Sequence, residues 1–125
     1  MKNKILIIGG ASVLAIYLAR ELIKRFEVHL VFNKKKVFLK KTKILKINIF
    51  NKKSLNKIKY KKYFFIINCA AITNVDMCQK NYSKCKKVNF GIVKNIVDLI
   101  KNQSIGFMQI SSDHLFSQKN KILKE

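Results

Sequence analysis

Long apolar runs, cysteine and acidic residues are all scarce in this chain, and each scarcity excludes something. The first apolar run, Ile5-Leu6-Ile7-Ile8, is too short for a signal-peptide core and leads straight into Gly9-Gly10. No run approaches the ~20 apolar residues of a membrane span, so no membrane partner is expected. The 3 cysteines, Cys69, Cys78 and Cys85, are an odd number in a chain without a secretory signal. That combination predicts a cytoplasmic protein with reduced thiols. Cys78 and Cys85 lack the short paired spacing and histidine partners of a zinc site, so no metal is expected. Asp and Glu together number 6 against 27 Lys and Arg, a net charge of +21.

Charge of that size points to nucleic acid or an anionic surface. The kind of cation argues otherwise. Arg20 and Arg25 are the only arginines, whereas specialised nucleic-acid binders favour the planar arginine fork. Lysine, isoleucine and asparagine are abundant together, proline and tryptophan are absent, and glycine numbers 4. That joint bias fits drift in AT-rich coding sequence better than a selected basic surface. Salt-sensitive binding to polyanions is expected. Specific nucleic-acid recognition is not, because no such motif is present and aromatics do not interleave with the lysines.

What is present alternates. Residues 5–8, 28–32, 44–49, 64–67 and 105–110 read as short buried strands. A helix follows the first strand, with Ser12 as its cap and Val13, Leu14, Tyr17, Leu18, Leu22 and Ile23 as its apolar positions. Residues 54–58 suggest a short helical turn, and about 82–102 the longest helix, with Val88, Ile92, Val93, Ile96, Val97 and Ile100 on one face. Strands alternating with helices predict an α/β fold with a parallel sheet. The glycine turn after the first strand makes a Rossmann-type doubly wound sheet of about five strands the leading choice. There is no repeat or linker, so residues 1–125 read as one NAD(P)-binding domain.

In such a sheet, ligands bind outside the carboxyl ends of the strands. The turn Gly9-Gly10-Ala11-Ser12-Val13-Leu14-Ala15 is placed to present backbone N–H groups to a pyrophosphate. Its spacing resembles the G-x-x-G-x-x-G of short-chain dehydrogenases, although Ser12 and Ala15 replace the second and third glycines. A plain strand-to-helix turn is the competing reading. After the second strand, Asn33-Lys34-Lys35-Lys36 offers no carboxylate for a ribose 2′-OH, which favours NADP, with NAD the alternative. The competing reading is chance, since one residue in five is lysine. Small residues Ala70 and Ala71 follow the fourth strand, where a nicotinamide ribose lies flat on the backbone.

Three blocks then agree in order and spacing: Asn68-Cys69-Ala70-Ala71-Ile72-Thr73-Asn74-Val75-Asp76, Val88-Asn89, and Ser111-Ser112-Asp113-His114-Leu115-Phe116. Together they are similar to the extended short-chain dehydrogenases, and within these to the dTDP-4-dehydrorhamnose reductase family, over nearly the whole chain. The resemblance implies an NADPH-dependent sugar-nucleotide reductase of dTDP-rhamnose biosynthesis. It implies that Gly9, Ser12, Val13, Leu14, Asn33, Lys34, Asn48, Ala70, Ala71 and Thr73 serve the cofactor, with Asn89 grouped among them as a helix residue whose part in the family is structural. Ser112 would bind the substrate carbonyl, with Ser111 and Asp113 beside the substrate. Asn48 stands where the family often has Asp, and His114 where it has Tyr. Asp113 as a turn cap and Asn89 as an ordinary satisfied helix residue stay open.

The family's reduction also needs a Tyr with a Lys four residues on. Tyr82 and Lys86 have that spacing but precede the fifth strand, the wrong place. The expectation is therefore an incomplete domain, lacking the catalytic pair and the C-terminal substrate domain and inactive alone. A nucleotide-sugar substrate would bind only with a C-terminal half supplied, and a partner chain would suit the exposed sheet edge. A non-catalytic Rossmann subunit, another NAD-dependent epimerase or dehydratase relative, and a basic nucleic-acid-binding domain are the alternatives.

Overall fold

The computed structural model describes residues 1–32, 34, 38–59 and 61–111. Five strands form one parallel sheet: β1 (Lys4–Ile8), β2 (Glu27–Phe32), β3 (Lys43–Lys46), β4 (Phe65–Asn68) and β5 (Gly106–Gln109). Their order is β3-β2-β1-β4-β5, so the chain reverses its direction of travel across the sheet between β1 and β4. Ile8 is in register with Val31 on one side and Asn68 on the other, and Asn68 with Gln109. These pairs bring the carboxyl ends of the four strands level, which positions the site described below.

Alternation along β1 explains the two cores. Leu6 and Ile8 face one way, where they pack with Ile66, Leu55, Ile58, Ile92 and Ile96. Ile5 and Ile7 face the other, with Leu30, Val28, Ala15 and Ala19. Helices α2 (Lys52–Lys59) and α5 (Ile92–Ile100) cover the first face and α1 (Val13–Leu22) the second. A strand covered on both faces needs apolar residues wherever it is buried, and β1 has them from Ile5 to Ile8. Among the described residues no helix is long and apolar enough to cross a membrane.

Several elements differ from expectation. The buried stripe of α1 is Ala15 and Ala19, while Val13, Leu14 and Tyr17 are exposed. Alanines one turn apart let the helix sit close against the sheet, and that approach turns the larger residues outward. Strand β3 ends at Lys46, although Ile47 and Ile49 beyond it are buried. The long helix is interrupted: α4 (Tyr82–Lys86) passes through a π-turn (Lys87–Gly91) into α5, and a short α3 (Val75–Lys80) precedes it.

Asparagine does much of the work that proline and glycine do elsewhere. The Asn51 Oδ1 accepts from the amides of Lys53 and Ser54 at the start of α2. The side chains of Asn74 and Asn81 cap α3 and α4 in the same way.

At the amino side of the sheet lies a polar relay in which His29 and Tyr63 are buried and Glu27 is half-exposed. The His29 Nδ1 is 2.7 Å from the Tyr63 hydroxyl and its Nε2 2.7 Å from Glu27 Oε1. Burial lowers the His29 pKa, and the bond to His29 lowers that of Glu27. Burial also raises the Tyr63 pKa, so the hydroxyl stays protonated. One assignment satisfies every atom: Tyr63 O–H donates to Nδ1 of neutral His29, whose Nε2–H donates to the Glu27 carboxylate. Below its ordinary pKa of 6.5, His29 takes up a proton in the unfolded chain more readily than in the folded one. Stability therefore falls as pH drops below that value. Thermal denaturation from about pH 7.5 down to about pH 5.5 should show this decline, and His29→Gln should flatten it. Parallel curves would contradict the assignment. Tyr63→Phe leaves the buried Nδ1 unpaired and should cost about 1–3 kcal/mol in urea unfolding.

Candidate functional site

A cleft of about 450 Å³ opens at the carboxyl ends of β1, β2 and β4. Its floor is the turn from β1 into α1, Gly9 to Ser12, and its opposite side the segment Cys69 to Ile72 after β4. Val31, Phe32 and Lys34 close one flank. Ile47, Ile49 and Phe50 form an apolar shelf, and Met77, Lys84, Val88 and Ile92 form the outer wall.

Two turns meet at Gly9. Its φ is +79°, and a Cβ there would lie 2.7 Å from the Ala70 nitrogen and 2.9 Å from the Cys69 carbonyl carbon. Both the backbone conformation and the contact require glycine. The Gly10 amide donates to the Val31 carbonyl at 2.9 Å, and the Cys69 amide to the Ile8 carbonyl at 2.9 Å. These bonds fix the turn to its neighbouring strands. The Ser12 hydroxyl accepts from the Ala15 amide at 3.1 Å, so it is engaged in capping α1. The Val13 and Leu14 amides occupy first-turn positions with no acceptor inside the helix, and they carry its favourable partial charge.

The segment after β4 is held by two asparagines. Asn68, fully buried, donates to Gln109 Oε1 at 2.8 Å and accepts from the Ala70 amide at 3.1 Å. Asn89, in the π-turn, accepts from the Ile72 amide at 2.8 Å and donates to the Ile72 carbonyl at 3.0 Å. A π-turn widens a helix locally, and here it carries the residue that reaches back to the loop.

The electrostatics are one-sided. Lys34 and Lys84 line the cleft and no described lining residue is acidic. With the start of α1, this wall favours an anion. Cys69 carries a free thiol whose pKa is raised by burial, so it stays protonated.

The structure brings together Gly9, Ser12, Lys34, Ala70 and Ala71 in one cleft. Val13 and Leu14 adjoin it but their side chains are exposed and turn elsewhere. Three further residues expected at the cofactor do not line the cleft. The Asn48 Oδ1 accepts from the Phe50 amide at 3.1 Å, Thr73 is exposed, and Asn89 braces Ile72. Ser111 is exposed just beyond β5 and does not line the cleft either. Asn33, Ser112 and Asp113 lie outside the described residues. Tyr82 and Lys86 are exposed on α4, away from the lining. The sequence reading missed Met77, because α3 was not foreseen, and Lys84, because the break at Asn81 that sets α4 against the cleft was not.

It also expected reduced thiols throughout, and this is corrected: Cys78 and Cys85 form a disulfide. In an unbroken helix, seven residues separate two Cα atoms by about 10.5 Å. Asn81, at φ −137° and ψ 67°, breaks the chain between α3 and α4 and brings those atoms to 5.4 Å.

The family model for the RmlD substrate binding domain matches residues 2–123. The chain superposes on a hypothetical dTDP-4-dehydrorhamnose reductase from Sulfolobus tokodaii with a TM-score of 0.87 and 32% identity, over 98% of this chain and 44% of that one. The chain belongs to the RmlD family. This RmlD-family chain also resembles UDP-glucose 4-epimerase from Brucella ovis, solved in complex with NAD (TM-score 0.84, 17% identity, 96% of this chain and 39% of that one). A further likeness is to the epimerase Mth375 from Methanothermobacter thermautotrophicus (TM-score 0.80, 18% identity, 90% and 36%). At such identities the two epimerases establish the fold alone. The chain spans less than half the length of these solved relatives. No curated protein matches the sequence significantly.

Gly9→Ala tests the cleft's floor. It places a methyl group against the Ala70 backbone at a positive φ and should destabilise the fold by about 1–3 kcal/mol. Urea unfolding checks this; an unchanged midpoint would mean the two turns do not touch.

Proposed function

We propose that this chain is the nucleotide-binding part of an NADPH-dependent sugar-nucleotide reductase of the dTDP-4-dehydrorhamnose type. One observation carries the reading: the glycine turn, the Ala70-Ala71 segment and two lysines share a single cleft that has no described carboxylate. The residues present fit a dinucleotide. The amides at the start of α1 would hold the pyrophosphate, and Ile47, Ile49 and Phe50 would shelve the adenine. Lys34 would meet a 2′-phosphate, and Ala70 and Ala71 would leave room for the nicotinamide ribose. When bound, the cofactor supplies a hydride for reduction of a keto carbon.

This chain's own part in that chemistry is orientation. Asn68 and Asn89 keep the loop after β4 at a fixed height, so a ring lying on Ala70 and Ala71 presents a defined face. Ser112 is assigned to the substrate carbonyl and Asp113 to the same loop. Reduction also needs a proton donor, and Tyr82 stands outside the cleft. We assign the donor and the sugar-binding surface to a C-terminal half, covalently continuous or separate, docked beside β5. Among the described strands, β5 has one hydrogen-bonded neighbour, β4. The cytosol, where nucleotide sugars and NADPH are available, is the compartment this reading assigns.

Titration with NADPH and NADH, followed by thermal denaturation, tests the reading. NADPH at a hundredfold excess over its Kd should add about 2.7 kcal/mol of stability. Lys34→Glu should weaken NADPH more than NADH, by on the order of tenfold. No stabilisation at millimolar NADPH would overturn the proposal, and equal losses for both cofactors would remove Lys34 from the 2′-phosphate.

A further inference from the structure

The disulfide sits beside the cleft, and its two cysteines adjoin cleft residues. Met77 precedes Cys78 and Lys84 precedes Cys85, and both line the outer wall. The bond closes α3 onto α4 across the break at Asn81. Cys85 is buried and Cys78 half-buried, so Cys78 is the more accessible of the two. The Cys78 sulfur is also 3.9 Å from the Ile72 carbonyl, which offers an acceptor for its proton in the reduced form. Ile72 is the residue held by Asn89. The disulfide ties the wall to α4, and on reduction the Cys78 thiol would have the Ile72 carbonyl of the loop after β4 within reach.

We propose that Cys78 and Cys85 form a reversible redox site that sets the outer wall of the cleft, with a glutathione-class disulfide as its oxidant. The Cys78 thiolate attacks one sulfur of oxidised glutathione; that S–S bond breaks and one glutathione leaves as thiolate. The Cys85 thiolate then attacks the Cys78 sulfur of the mixed disulfide and expels the second glutathione. The protein loses two protons and two electrons, and the glutathione disulfide becomes two thiols. Oxidised glutathione is anionic, and Lys80, Lys84, Lys86 and Lys87 flank the pair in the chain, so the local charge draws this oxidant in. Oxidation fixes Met77 and Lys84 relative to each other. Reduction frees α3 to move with its own cap. The effect on ligand affinity rests on the dinucleotide reading above; formation of the bond and its hold on the wall do not.

The test uses the whole chain in glutathione buffers from fully reduced to fully oxidised, with three readouts. Intact-mass analysis with thiol labelling should show loss of two hydrogens at Cys78 and Cys85, with Cys69 still labelled, and full reversal in reduced glutathione. Trypsin should cut after Lys80 and Lys84 more slowly in the oxidised form. NADPH should bind the oxidised form more tightly, by on the order of fivefold. Cys78→Ser with Cys85→Ser should hold the reduced-form affinity and cleavage rate in every buffer. Thiols that stay labelled in oxidised glutathione would overturn the proposal, as would a bond that changes neither cleavage nor affinity. If NADPH bound neither form, the dinucleotide reading would fall, and the trypsin rates would still decide whether the bond holds the wall.

Discussion

At the carboxyl ends of β1 and β4 two backbones touch. Gly9 adopts a left-handed conformation with no room for a Cβ against Ala70, and the bond from the Cys69 amide to the Ile8 carbonyl runs beside that contact. The cleft exists because these turns are pressed together at the point where the sheet reverses its order. Any side chain at Gly9 would part them and lift the small residues after β4. The amides at the start of α1, the lysines and the apolar shelf depend on that spacing, since each reaches the same volume from a different element.

Asparagine side chains extend this constraint outward. A buried Asn68 must find partners or cost the fold its desolvation, and it finds them in Gln109 and the Ala70 amide. Those bonds join β5 to the turn, and Asn89 joins the π-turn to the same loop. In a chain with no proline and 4 glycines, amide side chains take over the fixing of turns and helix starts. A composition that reads as genomic drift is thus used structurally. The lysines are less well used. The described ion pairs, Lys24–Glu21, Lys43–Glu27 and Lys94–Asp98, are solvent-exposed or half-exposed, where such pairs contribute little. A charge of +21 repels itself and opposes compaction.

The doubly wound sheet was legible in the sequence because doubly buried strands need apolar residues at every position, and residues 5–8 and 64–67 show that run. Gly9, Ala70 and Ala71 were legible because only small residues tolerate such close backbones. Periodicity misled on α1, where alanines rather than Val13, Leu14 and Tyr17 face the sheet; apolar spacing does not reveal how near a helix lies. The disulfide was illegible because it depends on a helix break at Asn81 with no proline or glycine to mark it. Lys84 went unnoticed for the same reason: its place on the wall follows from that break. Asn48 and Thr73 show the limit of carrying roles across by motif, since Asn48 bonds the Phe50 amide and Thr73 is exposed off the cleft lining, whereas Asn89 fills the structural place that its motif implies.

The central claim is that one cleft, floored by Gly9 and walled by Ala70 and Lys34, receives a dinucleotide. Backbone amide chemical-shift mapping on the isotope-labelled chain during titration with NADPH tests it most directly. The account predicts saturable shifts concentrated at residues 9–15, at Lys34 and at residues 69–72, with the His29–Tyr63 side of the sheet unmoved. Shifts scattered over the lysine-rich surface and abolished by moderate salt, or no shifts at all, would contradict it.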